Sequence, residues 1–389
     1  MISPISNYSC ANTPFKGKLK PVEIQGSETC ASVYSSLPLD YRTLDQIKIL
    51  CNHPSFKDSP IRMMPDVHPS ANTLVGFSAP INADTVIPGI IGGDIGCGML
   101  CVEFDTQGQD IDYKKLDEVV KTYTKSSRDK VPQSIKRVSK EFDKKLGDFC
   151  KEIGISADEQ RSALGTLGGG NHFIEIDTDK EGKHYLIIHT GSRGFGKKVS
   201  QYHENIAKRQ NRYNIRELSY LSDDEAKKYM EDIKIAQEYA RISRRIIADE
   251  ILYRMGWKEK LSFESVHNYI SKDGVIRKGA ISAKDGEEIL IPLNMRDGAI
   301  IAKGKGNTDW NETAPHGAGR LMSRTEASES IPYDKFVDAM KGIYTTSVNT
   351  KTIDEAPQAY KPSDVIIDNI EDTAKVEKVI TPKYNYKES

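Results

Sequence analysis

The sequence predicts a mixed α/β (α+β) fold with a β-rich core around its candidate site and a projecting helical hairpin. Two textures along the chain carry that expectation. Short apolar runs split by Gly, Pro, Asn and Asp fill residues 63–104 and 275–305, as strands joined by tight loops would. Charged, periodic stretches fill residues 111–160 and 197–256, as helices with one solvated face would. No repeat, linker or break in composition divides the 389 residues, so a single elaborated domain over 1–389 is expected.

The elements follow in order. Pro4, Pro14 and Pro21 interrupt any long helix in residues 1–60. Leu44, Ile47 and Leu50 have helical spacing and predict a helix over 41–51. Residues 99–104 read as a strand leaving a glycine loop. Helices are expected over 113–123 and 134–150, a loop over 164–170, and strands at 173–176 and 185–188. The helical hairpin, an insertion at about 197–256, has a second half with apolar positions at Ile233, Ala236, Tyr239, Ile242 and Ile246 beside a mixed-charge face. Residues 331–344 read as a helix, and the tail at about 375–389 reads as polar and frayed.

The 55 basic and 56 acidic residues nearly cancel, which excludes a globally basic nucleic-acid binder and leaves room for a local basic groove. Six cysteines, at 10, 30, 51, 97, 101 and 150, are too scattered for a disulfide scaffold and suit a reducing cytoplasm. The first residues lack the basic and apolar regions of a signal peptide, and no run approaches the roughly 18 apolar residues of a membrane span. A soluble cytoplasmic protein without a membrane partner is expected.

The chemistry concentrates in Gly92-Gly93-Asp94-Ile95-Gly96-Cys97-Gly98, where an acid and a thiol three positions apart stand among glycines. Alone, Cys97 would read as readily as an inert buried thiol as a ligand; beside Asp94 in a glycine loop it reads as a metal ligand. His53, His184 and His203 lie in charged or helical surroundings and read as ordinary histidines. His68, His172, His189, His267 and His316 each sit in or beside a glycine-rich or turn segment, placed to project into a cleft. Asp, Cys and several His form a mixed hard and soft set that suits Mn²⁺, Zn²⁺ or Fe²⁺ better than Ca²⁺ or Mg²⁺, and a thiolate can bridge two ions. The loops 167–171, 191–196 and 317–319 read as anion-binding nests, with Arg193 and Arg320 beside them.

Together these strings resemble the RtcB family of RNA ligases. The motifs that carry the resemblance are Met64-Pro65-Asp66-Val67-His68, Asp94-Ile95-Gly96-Cys97-Gly98-Met99, residues 164–175 ending Asn171-His172-Phe173-Ile174-Glu175, His189-Thr190-Gly191-Ser192-Arg193-Gly194, His267-Asn268-Tyr269, Arg277-Lys278-Gly279-Ala280, and Pro315-His316-Gly317-Ala318-Gly319-Arg320. Ser323-Arg324, residues 353–357 and Ala359-Tyr360-Lys361 extend it, in family order from about residue 40 to 365. The resemblance implies the family's own mixed α/β architecture and a GTP- and Mn²⁺-dependent ligase. Such an enzyme joins RNA ends bearing a 3′-phosphate or 2′,3′-cyclic phosphate to 5′-hydroxyl ends, in RNA repair or tRNA splicing. It implies metal ligation by Asp94, Cys97, His172, His189 and His267, and a guanylylated nucleophile at His316. Guanylate contacts would come from Asn171, His172, Phe173, Ile174, Glu175, His267, Asn268, Pro292, Leu293, Asn294, Met295, His316, Gly317, Ala318 and Gly319. Asp66 and His68 would support the site or handle protons, and Arg193, Lys278, Arg320 and Tyr360 would support it or contact phosphates.

The chain departs from the family pattern at Pro69-Ser70-Ala71-Asn72, at Pro292-Leu293-Asn294-Met295-Arg296, at Ala299, and at its end, Tyr386-Lys387-Glu388-Ser389. These changes fall around the base-binding and substrate segments, whereas the metal ligands and His316 are kept. The alternatives are a metal-dependent phosphoesterase opening 2′,3′-cyclic phosphates, and a non-catalytic RNA-binding member. The physiological RNA, strict GTP selectivity, an activating protein partner and the oligomeric state are not readable from the chain.

Overall fold

The computed structural model describes residues 19–70, 73–82, 84–124, 138–215 and 218–388. Pro4, Pro14, Cys10, Ala71, Asn72 and the expected helix start at 134 lie outside them. In chain order, β1 (Val22–Gln25) and β2 (Cys30–Val33) precede α1 (Tyr41–Cys51), whose Asp40 side chain accepts from the Thr43 amide and caps the helix. Next come β3 (Ile61–Pro69), β4 (Leu74–Pro80), β5 (Thr85–Val86), the one-turn α2 (Pro88–Ile91) and β6 (Gly98–Asp105). Among the described residues, α3 (Tyr113–Tyr123), α4 (Lys140–Glu152) and α5 (Ala157–Ala163) lead to β7 (Phe173–Thr178) and β8 (His184–Thr190). Then follow α6 (Arg193–Gln210), β9 (Leu221–Ser222) and the long α7 (Asp223–Met255). After them come β10 (Lys258–Val266), β11 (Asn268–Ile270), β12 (Val275–Lys278), β13 (Ala280–Ser282), β14 (Glu288–Asn294), β15 (Gly298–Gly304) and β16 (Thr313–Pro315). The chain closes with α8 (Arg324–Ser330), α9 (Tyr333–Ala339), β17 (Tyr344–Thr345), α10 (Ser363–Asn369) and β18 (Ala374–Tyr386). The expected mixed α/β class is borne out.

Two sheets organise these elements. One runs β1-β2-β3-β4-β12-β11; the other runs β10-β6-β8-β7-β18-β15-β14, with β17 beside β18. Alternation along the strands sorts side chains onto two faces of the larger sheet. Leu100, Val102, Ile174, Ile176, Leu186 and Ile188 pack with Leu116 and Val120 of α3 and Ile247, Ile251 and Leu252 of α7. On the opposite face Met99, Cys101, Tyr185 and Ile187 pack with Leu290, Ala299, Ile301 and Ile380. The smaller sheet, α1, α2, α6 and the first half of α7 share a third core.

Three expectations are corrected. The helical pair does not project. Both α6 and α7 lie against the body, and α7 buries residues around much of its circumference from Ala226 to Met255, including Asp232, Arg244 and Glu250. The tail is a thirteen-residue strand, β18, held between β7 and β15. Its lysines and Pro382 mask the alternation in the sequence, and Pro382 sits at a bulge in the pairing with β7, where its missing N–H is tolerated. The helix expected over 331–344 is shorter, at α9.

Arg244 ties the layers together. Its side chain is fully buried, its Nε donates to Glu264 at 3.0 Å, and its Nη1 donates to the Gly96 and Thr190 carbonyls at 2.8 and 2.9 Å. The glycine loop is thereby pinned to the end of β8 from below. Replacing Arg244 with Met would strand two carbonyls and a carboxylate. We expect Arg244→Met to lose about 3 kcal/mol or more of stability, read as a lowered Tm in thermal unfolding.

Candidate functional site

Strand register builds the site. Gly98 pairs with Thr190 on one side and Val266 on the other, so the residues just beyond these strand ends meet. The His267 amide donates to the Cys97 carbonyl at 2.8 Å, and the Gly96 amide donates to the Asn268 carbonyl at 2.7 Å. Glycine is required where these segments cross. A Cβ on Gly191 would stand 2.0 Å from Asp94 Oδ1, and Gly96, at φ +71°, lies against Gln237 and Ala240 of α7.

Five side chains then converge. Cys97 Sγ lies 3.2 Å from His189 Nε2 and 3.5 Å from His172 Nε2, and the ligand atoms of these three residues all fall within 4.8 Å of one another. His267 Nε2 is 3.3 Å from His189 Nε2, and Asp94 Oδ2 is 3.6 Å from His172 Nε2. The outer nitrogens fix which atom faces inward: His172 Nδ1–H donates to the Leu167 carbonyl and His189 Nδ1–H to the Asn171 carbonyl, both at 3.1 Å. Both Nε2 atoms and the Cys97 sulfur therefore face one another.

Electrostatics sharpen this reading. Burial, with the neighbouring imidazoles, holds His189 and His267 well below the usual histidine range, so both are neutral and able to ligate. Burial pushes the Cys97 thiol well up, and the Asp94 charge adds to it. Burial also opposes the Asp94 charge, but hydrogen bonding to His172 and Cys97 and the charge of Lys278 leave its carboxyl well below the usual range. Neutral imidazoles, an ionised carboxylate and a thiol awaiting deprotonation form a donor set that a divalent transition metal satisfies and that a proton alone does not. The residues fit such an ion.

Beside this cluster stands His316, its ring 4.9 Å from that of His267. Its Nδ1 donates to Asp66 Oδ2 at 2.7 Å, and its backbone amide donates to the same oxygen at 3.1 Å. Asp66 is fully buried, and Lys361 steadies its strand by donating to the Pro65 and Val67 carbonyls at 2.9 and 3.3 Å. Of its two ring nitrogens, Nδ1 is the one engaged by Asp66.

A cleft of about 320 Å³ opens at this point, within the size range of small-molecule sites. Of the residues singled out in the sequence, His68, Asp94, Asn171, Phe173, Glu175, His189, His267, Asn268, Lys278, Pro292, Leu293, Asn294, Met295, His316, Gly317, Ala318, Gly319, Arg320 and Tyr360 line it. Cys97, His172 and Asp66 stand behind its wall, and burial pushes His68 down to about 4. Arg193 lies against His172 with Nη1 3.3 Å from Nδ1, at a residue with φ +59°. Lys278 donates to the Ile91 carbonyl at 2.8 Å. Ile174 is the correction: its side chain is packed in the helix-facing core with Ile176 and Leu186, away from the cleft. His53, His184 and His203 stand apart, His203 against Asp232 at 3.0 Å and His53 against the Leu218 carbonyl at 2.8 Å.

The cleft also contains residues the sequence did not single out as site residues, among them Arg324, Glu355, Asn385 and Lys387. Buried Glu355 pairs with Lys387 Nζ at 2.9 Å, accepts from the Tyr360 hydroxyl at 2.7 Å and meets Arg324. Glu355 and Arg324 lie in motifs that carry the resemblance, which was the available signal. Lys387 was counted among the departures, yet β18 delivers it to the cleft.

A family model described as tRNA-splicing ligase RtcB matches residues 46–388. The RNA-splicing ligase RtcB of Escherichia coli strain K12 is 28% identical over 351 residues, spanning 79% of this chain and 85% of that protein. The tRNA-splicing ligase RtcB of Pyrobaculum aerophilum is 29% identical over 412 residues, spanning 82% of this chain and 85% of the relative. That of Nanoarchaeum equitans is 24% identical over 445 residues, spanning 91% and 92%.

If Cys97 contributes a thiolate ligand, Co²⁺ titration of the purified protein should give a sulfur-to-metal charge-transfer band. Cys97→Ala should remove that band and weaken Co²⁺ binding about tenfold or more. Unchanged affinity with the band intact would take Cys97 out of the ligand set.

Proposed function

The chain belongs to the RtcB family, and from that premise we propose that it is an RNA ligase joining 3′-phosphate or 2′,3′-cyclic phosphate ends to 5′-hydroxyl ends. In this reading the nucleotide is GTP, the metal is Mn²⁺ in one or two ions, and residues 1–389 act as one ligase domain. The observation that carries the proposal is His316, held by a buried carboxylate through Nδ1 and standing against the metal-type cluster.

Asp94, Cys97, His172, His189 and His267 would hold the metal, which when bound neutralises phosphate charge as a Lewis acid. The remaining work falls to the chain's own residues. His316 Nε2 attacks the α-phosphorus of GTP, a P–N bond forms, and pyrophosphate leaves. Imidazole becomes more cationic as that bond forms, and Asp66, accepting from Nδ1–H, stabilises the charge and fixes the ring's orientation. The guanylate then passes from His316 to the RNA 3′-phosphate, converting a poor leaving group into a good one. The 5′-hydroxyl attacks that activated phosphate, the new phosphodiester forms, and GMP departs. A 2′,3′-cyclic phosphate is first opened by water to the 3′-phosphate. Lys278, Arg320 and Arg324 supply cationic groups along the cleft for phosphates.

Base selection has a physical rationale in the same cleft. Glu175 offers a carboxylate and Lys387 an ammonium, Lys387 lying 5.7 Å over the Phe173 ring. Guanine presents two adjacent N–H donors and a carbonyl, which suit a carboxylate and a cation. Adenine presents no such pair of donors on that edge.

α-Labelled GTP with Mn²⁺ should give an acid-labile covalent label on the wild-type protein, absent in His316→Ala. In Asp66→Asn the labelling rate should fall about a hundredfold or more. No label, with 2′,3′-cyclic phosphate still opened, would favour the phosphoesterase reading; RNA binding alone would favour a non-catalytic member. The same assay with ATP in place of GTP measures base selectivity.

A further inference from the structure

Asp177 has no place in the mechanism above. It follows Glu175 by two residues on β7, so both side chains leave the same face of the strand. Asp177 is fully buried, and among the described residues no N–H or O–H of another group reaches either of its carboxylate oxygens. Its surroundings are poor in polar atoms. Across β8 it pairs with Tyr185, whose hydroxyl is taken by Asp179 at 2.8 Å, and across β18 it pairs with Pro382, which has no N–H. The adjoining core offers Met99, Cys101, Ile187, Leu290, Ala299, Ile301 and Ile380.

An ionised carboxylate with no donor cannot be kept in such a place at acceptable cost. The polar group beside Asp177 is the Glu175 carboxyl. Glu175 itself is 3% exposed, accepts from Asn385 Nδ2 at 2.6 Å and lines the cleft. Two adjacent buried carboxyls, one facing a ligand cavity and one facing apolar packing, are stable together when the inner one keeps a proton and gives it to the outer one.

We propose that Asp177 remains protonated at neutral pH and donates a hydrogen bond to the Glu175 carboxylate, keeping that carboxylate charged and aimed for the paired N–H donors of a guanine base. Asp177 is thus a positioning residue for nucleotide selection, acting through Glu175, and this rests on the reading that the cleft takes GTP. The remaining groups facing the pair agree with the assignment. Asn385 and Lys387 face Glu175 from β18 and the residue beyond it and favour its charged form, whereas Cys101 on β6 is a buried thiol pushed well up by burial and then by Asp177. Burial moves Glu175 up to about 7, with Asn385 and the Asp177 hydrogen bond working against it, and burial beside Glu175 holds Asp177 far above the carboxylate range. GTP binding is therefore full only well above pH 7 and weakens as pH falls through about 7, because the protonated Glu175 is no longer the acceptor the base needs.

The test is titration of the full-length protein with a fluorescent GTP analogue from pH 5.5 to 9, alongside the GTP-labelling rate. Asp177→Val, which suits the apolar surroundings, removes the donor. It should bind the analogue about tenfold more weakly, with the acid-side loss moved to higher pH and the labelling rate at saturating GTP little changed. Asp177→Asn keeps an N–H donor and should recover most of the lost affinity and the original acid-side position. Both variants should unfold cooperatively on heating. An Asp177→Val protein with wild-type affinity and pH dependence overturns the inference while leaving the ligase reading in place, as does an Asp177→Asn protein as impaired as Asp177→Val. A wild-type protein that binds no GTP at any pH overturns both.

Discussion

Arg244 lies beneath the candidate site and joins parts of the chain that are far apart in sequence. One guanidinium holds the carbonyl of Gly96 in the glycine loop, the carbonyl of Thr190 at the end of β8 and the carboxylate of Glu264 on β10. Each of those segments delivers a candidate ligand a residue or a few away: Cys97, His189 and His267. A buried cation meeting two carbonyls and a carboxylate is a geometry with few alternatives, because a shift in any segment strands a buried polar group. The position of the cluster is thus set by a residue that touches none of its ligand atoms.

The cluster and His316 use the same device, a second hydrogen bond at Nδ1, with different acceptors. His172 and His189 spend Nδ1 on main-chain carbonyls and turn Nε2 toward the sulfur, as ligands do. His316 spends Nδ1 on the Asp66 carboxylate, a stronger acceptor that stabilises a ring gaining positive charge. A carbonyl suits a histidine that stays neutral on a metal, and a carboxylate suits one that passes through a cationic state. Chemically identical side chains are thereby distinguished by the acceptor of their second hydrogen bond.

Much of this was legible in the chain. The helices over 41–51, 113–123 and 223–255 follow from apolar periodicity, and the structure places them at those residues. The glycine-flanked histidines and the Asp94–Cys97 pair were visible because a site requiring close backbone approach leaves glycines behind. Other parts were hidden for definite reasons. β18 carries lysines, a glutamate and a proline, and it is a strand because β7 and β15 offer it two edges to pair with. Ile174 stands inside a motif read as ligand-binding, but strand alternation turns its side chain to the helix-facing core. Nothing in the chain singled out Arg244, which the structure buries wholly.

The sequence by itself determined the kinds of atoms available: one thiol and one carboxylate in a glycine loop, and histidines at the ends of strands. It also determined the local elements, because periodicity and capping act over a few residues. The tertiary structure decided which of those groups meet. Asp66 and His316, 250 residues apart, share a hydrogen bond, and Lys387 at the end of the chain reaches a cleft whose other walls were made hundreds of residues earlier. It decided as well that Asp177 is buried without a donor. Long-range strand register and burial settle such matters, and neither is written in the spacing of neighbouring residues.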